Sequence, residues 1–337
     1  MIPALAVARE LRSRGHRVVF IGTERGVESR LVPLAGFPLE FIQIGGLKGI
    51  GILGQVSSVA KLLVSTIRQM NTKRPAAVFS MGGYVAGPPV IAALFRRIPV
   101  VAMEPNAVPG IVNRYTARWM TKALITFPET AKFFPASLTE LTGLPVREEF
   151  FHLSEPAAAA PFTVLITGGS QGSRTLNEAA RASWPLFRES GLRVRFLHQT
   201  GAGQAGNLAE EFAATGLAGE VKPFFEDMPG AFAQAHLIIC RSGAGAVSEL
   251  AAAGKASVLI PYPFAADNHQ MKNAESFVRA GASLLVPDSE WTGKKFFETV
   301  SNLISERGVL KAMSVAAKSL AKPGAAARAA DILENIH

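Results

Sequence analysis

Between residues 163 and 287, six short apolar runs follow one another, TVLITG, RVRFLHQ, EVKPF, LIIC, ASVLIP and SLLVP, with helix-like segments between them. Apolar runs of this length fit strands buried on both faces, and the intervening helices supply the crossovers that parallel pairing requires. The pattern therefore predicts a mostly parallel sheet with helices on both faces. Earlier residues repeat it: a helix over 3–14, opened by Pro3 and stopped by Gly15, precedes the strand RVVFIG at 17–22. AAVFS, the helix PPVIAALF, PVVAME and ALITF continue the alternation. FHLSEPAAAAP, 151–161, is rich in Ala and Pro without a period and reads as a linker. A chain of 337 residues suits two domains, and we expect an α/β protein of two Rossmann-like doubly wound domains facing a cleft. The expected division is 1–153, a linker at 154–161, 162–317, and a C-terminal helix within 318–337 that packs back on the first domain.

One expectation concerns the start of the chain. Only Met1 and Ile2 precede Pro3, where this architecture places a central strand and a ligand loop. Omitting such a strand leaves the backbone groups of two neighbours unpaired. The natural polypeptide is therefore expected to begin further upstream.

Composition narrows the partners without choosing among them. A net charge of +9 permits nucleic acid, a membrane surface or a phosphorylated substrate. The single cysteine, Cys240, ends the run AHLIIC as a core residue, and excludes a disulfide framework. Residues 75–95 carry no charge, but Gly82-Gly83 and Pro88-Pro89 interrupt them, so they read as strand, glycine loop and helix rather than a membrane span. The N-terminus becomes charged by residue 9 and does not read as a signal peptide.

Gly168-Gly169-Ser170-Gln171-Gly172 spells G-x-S-x-G between a strand and a helix. In that context Ser170 is either a hydrolase nucleophile or a phosphate ligand at a helix N-terminus. A hydrolase needs an acid and then a histidine, for which Asp227 or Asp267 with His269 are the available residues, the latter two very close in sequence. GAGQAG at 201–206 matches a dinucleotide fingerprint but reads as a surface loop instead, because the acidic residue at the right distance, Glu220, sits just before a strand rather than at its end. SMGGYVAGPP at 80–89 and TGGSQGSR at 167–174 are both strand, glycine turn and helix, one in each domain, and each offers amides to phosphate. In CRSGAGAVSELAAAGK, Ser242 to Gly245 open another loop before a helix. Glu249 lies in that helix's early turns, as a ribose ligand or as a complement to the helix dipole. Asp267, Asn268, His269 and Gln270 add a polar cluster.

PALAVARELRSRGHRVVFIGTERGVESRLVP, SMGGYVAGPP, EPNAVPGIVNR, TGLPVR, ITGGSQGSRTLNE, CRSGAGAVSELAAAGK and DNHQMKNA occur in the order found in the MurG family. These are the UDP-N-acetylglucosamine:undecaprenyl-pyrophosphoryl-MurNAc-pentapeptide N-acetylglucosaminyltransferases, which the chain resembles over nearly its whole length. The resemblance implies a GT-B fold and inverting transfer of GlcNAc from UDP-GlcNAc to the C4 hydroxyl of MurNAc in lipid I, forming lipid II. It implies a UDP-GlcNAc site containing Asn106, Arg147, Ser170, Phe225, Ala244, Gly245, Ala246, Val247, Ser248, Glu249 and Gln270. Ser170 meets the diphosphate there, Glu249 the ribose, and a backbone group of Phe225 the uracil. Gly82, Gly83 and Tyr84 would face the acceptor diphosphate. No D-x-D is present, so a metal-independent reaction without cofactor is expected, at the cytoplasmic face of the membrane and without nucleic acid. Residues 46–74, apolar with Lys48, Lys61, Arg68, Lys73 and Arg74, read as a membrane-docking surface or as a packed helix with a basic face.

Three departures from the family pattern stand out. The G-G-T-G-G-H loop expected before IPALAVA, with its proposed catalytic histidine, has no counterpart, and neither His16 nor His269 replaces it. Leu144 stands where Asn is frequent, and Ala246 where Thr is frequent. Within the same fold, an epimerase acting on UDP-GlcNAc is the alternative activity. A sugar-nucleotide-binding protein without turnover is the alternative class.

Overall fold

A computed structural model describes residues 1–42, 66–67, 74–157, 159–203 and 206–336. The chain divides into two compact units, Met1–Val146 with Gly324–His337, and Arg147–Pro323. The stretch 154–161 thus lies within the second unit. The expected docking segment 46–74 falls outside the described residues except at 66, 67 and 74.

In the first unit α1 (Ile2–Ser13), β1 (Phe20–Gly22), α2 (Glu28–Leu34) and β2 (Leu39–Phe41) form one cluster. Its strands pair in parallel, and Leu5, Ala8, Val32 and Phe37 fill its interior. β3 (Val78–Ser80), α3 (Gly87–Phe95), β4 (Val100–Glu104), α4 (Ile111–Thr116), β5 (Lys122–Ile125) and β6 (Thr139–Leu141) form the other. These strands make a parallel sheet in the order β3-β4-β5-β6. The single sheet expected for this domain is therefore two sheets among the described residues. β4 is buried along its whole length, as its apolar residues 100–103 predict, and its last residue is the buried carboxylate Glu104.

The second unit is one six-stranded parallel sheet. It contains β7 (Phe162–Thr167), α5 (Arg174–Ser190), β8 (Val194–Gln199), α6 (Leu208–Ala214), β9 (Ala218–Lys222), α7 (Met228–Gln234) and β10 (Leu237–Cys240). α8 (Ala244–Ala253), β11 (Ser257–Leu259), α9 (His269–Arg279), β12 (Ser283–Leu285), α10 (Gly293–Ser305) and α11 (Arg307–Ser319) complete it. Trp184, Phe187, Phe196, Phe212, Trp291 and Phe296 dominate one side of its core. Cys240 is fully buried, and burial pushes its thiol up to about 12, so it stays an inert neutral group.

α12 (Ala325–Glu334) belongs to the first unit and packs on α1. Arg14 donates from Nη1 to Asp331 at 2.6 Å and to Glu334 at 2.7 Å. Arg328 meets Glu140 at 2.6 Å.

Candidate functional site

The strand order β12-β11-β10-β7-β8-β9 reverses direction between β7 and β10. In a doubly wound sheet that switch point opens a crevice beyond the C-terminal strand ends. Thr167 is in register with both Cys240 and Gln199, so the loops after β7, β10 and β8 leave side by side.

The loop after β7 is shaped by what its glycines exclude. A Cβ on Gly168 would lie 2.4 Å from the Ser173 nitrogen, and one on Gly172, whose φ is +74°, would lie 1.9 Å from the Thr200 carbonyl oxygen. Asn177 fixes that carbonyl by donating from Nδ2 at 3.0 Å, and His198 holds Asn177 Oδ1 at 2.9 Å. Burial lowers the His198 pKa to about 4, so the imidazole is neutral and donates from Nε2. Ser170 is exposed at the tip of this loop. The triad partners required for a nucleophile are engaged elsewhere: Asp227 caps α7 by accepting from Gly230 N at 2.8 Å, and His269 Nδ1 meets the Ala266 carbonyl at 2.6 Å. The hydrolase geometry is not assembled.

The loop after β10 offers a more open helix end. α5 is capped by Ser173, whose hydroxyl accepts from Leu176 N at 3.3 Å. α8 starts from Gly243, which has no side chain to cap it, and the amide of Val247 bonds back to the Gly243 carbonyl. The amides of Ala244, Gly245 and Ala246 therefore face outward with the positive end of the helix, a site suited to an anion. Val247 itself is fully buried, so its side chain belongs to the core. Ser248 is half-buried. Ser242 donates to the Gln270 carbonyl at 2.8 Å, and Tyr262 N donates to Gln270 Oε1 at 3.0 Å, so that among the described residues Gln270 Nε2 is a donor without an acceptor beside the loop. Asp267 and Asn268, immediately before α9, hold left-handed φ angles of +50° and +53°, a strained arrangement for residues with side chains.

Glu249 projects from the second turn of α8, half-buried, and accepts no hydrogen bond from a described residue. Burial pushes its carboxyl up to about 7, and the Arg147 guanidinium pulls in the opposite direction. Arg147 in turn lies over the Phe150 ring, 5.0 Å from its centroid, and Phe150 packs edge-on against Phe232. A carboxylate that accepts no hydrogen bond among the described residues, beside a cation held by aromatic packing, is suited to a ligand's hydroxyl groups.

Phe225 lies in the segment between β9 and α7. Its amide N–H donates to Gln199 Oε1 at 3.0 Å, so its carbonyl is the backbone group left for a ligand. A cavity of about 440 Å³ beside it is lined by Lys222, Phe224, Glu226 and Gln234 among others.

In the first unit, Gly82 lies under Asn113, whose Nδ2 would sit 2.8 Å from an added Cβ. Gly83 also holds a positive φ, and Tyr84 is exposed. Asn106 donates its amide N–H to Glu104 at 3.0 Å and its side-chain amide at 3.3 Å, and Asn113 donates to the same carboxylate at 2.9 Å. Burial pushes the Glu104 carboxyl above its ordinary range, and these donors oppose the shift. Asn106 thus supports its own loop.

Within the second unit, one side of the molecule gathers Ser170, Phe225, residues 244–249 and Gln270 at the sheet's C-terminal end, with Arg147 beside Glu249. Gly82, Gly83, Tyr84 and Asn106 lie in the first unit. Four supporting residues escape a reading of the sequence: Gln199, Asn177, Glu104 and Arg241. Arg241 Nη1 donates to the Ile260 and Pro261 carbonyls at 3.1 and 3.2 Å and pairs with Asp288. For Glu104, Gln199 and Arg241 the available signal was a polar residue at or just past the end of an otherwise buried strand, whereas Asn177, inside α5, carried none.

Two family models match the chain: the glycosyltransferase family 28 N-terminal domain over residues 1–125 and the C-terminal domain over residues 163–335. The UDP-N-acetylglucosamine–N-acetylmuramyl-(pentapeptide) pyrophosphoryl-undecaprenol N-acetylglucosamine transferase of Solibacter usitatus is 60% identical over all of this chain and 92% of its own length. The crystal structure of Acinetobacter baumannii MurG matches with a TM-score of 0.85 at 34% identity, over 99% of this chain and 95% of that one. The UDP-GlcNAc 2-epimerase of Neisseria meningitidis, solved with UDP-GlcNAc, matches with a TM-score of 0.68 at 13% identity, over 99% of this chain and 96% of that one. That likeness extends to the fold alone.

Proposed function

The chain belongs to the MurG family of family 28 glycosyltransferases, and from that premise we propose how its residues carry the reaction. It transfers GlcNAc from UDP-GlcNAc to the MurNAc C4 hydroxyl of lipid I, giving lipid II for peptidoglycan synthesis. The second unit binds the donor. The observation that carries this assignment is the uncapped start of α8 beside the Glu249 carboxylate, which faces Arg147 and accepts no hydrogen bond among the described residues. The ribose hydroxyls donate to Glu249, the diphosphate lies against the 244–246 amides with Ser170 and Arg147, and the Phe225 carbonyl accepts from the uracil. Gln270 donates from Nε2 to the sugar.

As the anomeric bond breaks, negative charge grows on the departing UDP. Amides already aimed at that position and the Arg147 cation stabilise it without reorganising, which is the largest contribution a binding site of this kind makes to rate. The acceptor hydroxyl attacks from the opposite face, so the configuration inverts. Gly82, Gly83 and Tyr84 are assigned to the acceptor diphosphate, at the start of the helical turn before α3.

Release of UDP from UDP-GlcNAc is expected to depend on added lipid I. Ser170→Ala should retain activity with a loss of about tenfold, the value of one hydrogen bond to a charged group. Loss of more than about a thousandfold would return the nucleophile reading. Release of UDP without acceptor, with a mannosamine product, would indicate the epimerase instead.

Membrane docking is assigned to the first unit. Ile91 and Phe95 lie four residues apart on α3, and Ile111, Tyr115 and Trp119 recur at the same interval from α4 onward, each of them exposed. A Cβ on Gly87 would be 3.5 Å from Val112, so α3 starts against α4. Arg96, Arg97, Arg114 and Arg118 are exposed around these side chains. Apolar groups ringed by cations suit an anionic leaflet. Among the described residues no helix is long and apolar enough to cross a membrane. Phe95→Ser with Trp119→Ser should reduce co-sedimentation with anionic vesicles by roughly tenfold or more, given the transfer energy of an aromatic side chain. Unchanged binding would place docking elsewhere.

A further inference from the structure

We propose that Gln199 is a positioning residue that sets the spacing between the nucleobase segment and the diphosphate loop. The proposal rests on the donor site described above and adds what holds its two halves together. Gln199 is 2% exposed, so it acts through the groups it holds rather than by touching the donor.

Its side-chain amide spans the two segments. Nε2 donates to Thr167 Oγ1 at 3.1 Å and to the Gly169 carbonyl at 3.2 Å, while Oε1 accepts from Phe225 N at 3.0 Å. The orientation of the amide is not ambiguous, since a carbonyl can only accept and a backbone N–H can only donate. Gly169 N also donates to Thr167 Oγ1 at 3.1 Å. Gln199 and Thr167 therefore hold Gly169, the residue before Ser170, through its N–H and its C=O. The same glutamine holds Phe225, 26 residues further along the chain. Buried amides with every strong bond satisfied have one stable geometry. The uracil and diphosphate of one ligand must be met together, so an error in this spacing weakens binding of the joined ligand more than of either part.

Separate ligands distinguish that role from a structural one. Binding of uridine, UDP and UDP-GlcNAc is followed by NMR titration, together with steady-state turnover. Gln199→Ala is expected to weaken UDP and UDP-GlcNAc about tenfold or more, in keeping with the effect of ångström-scale misplacement. kcat at saturating donor should stay within about threefold, since the leaving-group contacts are regained once donor is bound. Gln199→Glu can still accept from Phe225 N–H but cannot donate to Gly169. It should therefore keep uridine binding within about threefold while losing UDP binding.

Gln199→Ala with unaltered affinities and only a lower Tm overturns the proposal, as does a loss confined to kcat. If Gln199→Ala does not fold, Thr167→Val decides: weaker UDP with unaltered uridine supports the strut, and unaltered UDP overturns it. A wild-type chain that binds neither uridine nor UDP overturns the donor assignment itself, and the proposal with it.

Discussion

Glu249→Ala is expected to weaken UDP-GlcNAc binding by on the order of 100-fold, because it removes a charged acceptor shared by two ribose hydroxyls, worth about 1.5–3 kcal/mol for each such bond before compensation by water. The same residue should make binding depend on pH. Its carboxyl is raised to about 7 by burial, and only the ionised form accepts both hydroxyls. Donor affinity should accordingly fall as pH drops below 7, approaching about tenfold per pH unit, and Glu249→Gln should flatten that dependence. Stability of the ligand-free protein has the opposite sign. A folded-state pKa above the unfolded value means the folded chain holds more protons across the interval, so this residue's stabilisation is present at low pH and lost as pH rises through about 7. Glu249→Gln should thus raise the ligand-free Tm at pH 8 while weakening UDP. Melting curves from pH 5 to 8.5, with and without UDP, check both signs, and a flat wild-type affinity profile would remove Glu249 from the ribose.

Gly172→Ala should be the most damaging single methyl in the second unit's site. Its Cβ would stand 1.9 Å from the Thr200 oxygen and 2.8 Å from its carbon, so backbone rather than a flexible side chain must move. Gly201 reciprocates: a Cβ there would lie 2.4 Å from the Gly172 Cα. The positive φ alone disfavours alanine by about 1 kcal/mol, and the clash raises the expected loss to about 3 kcal/mol or more. Because the loop must open to relieve it, UDP affinity should drop with stability. Gly169→Ala is the control, since its φ is also positive but its Cβ direction is open, and it should lose only about 1 kcal/mol. Equal melting temperatures for the two variants would mean that the loop is not clamped by Thr200.

The alternation of apolar runs and helices made the second unit readable, because strands buried on both faces leave an unbroken apolar signature. TVLITG, RVRFLHQ and LIIC fall on β7, β8 and β10 within a residue or so at each end. β2 and β6 were not legible. Their sequences, LEF and TEL, are three residues long with a carboxylate at the centre, and only their neighbours' pairing makes them strands. RVVFIG shortens to Phe20–Gly22 for a similar reason: among the described residues β1 pairs with β2 alone. Glycine loops and Glu249 could be found from local order, since a turn and the helix after it are adjacent in sequence. The polar supports could not, because Arg241 reaches Asp288 47 residues away and Gln199 links segments 30 residues before and 26 residues after it. Their meaning exists only once the sheet has brought those strand ends into register.

The placement of α12 sets an order of assembly. Arg14 finds Glu334 320 positions later, with the entire 147–323 unit between them. A ribosome therefore delivers the inserted body complete before its host can be sealed, and α1 waits with that flank uncovered. Anything that delays the inserted body prolongs this exposed interval, so mutations deep in one body should be felt as aggregation through the other.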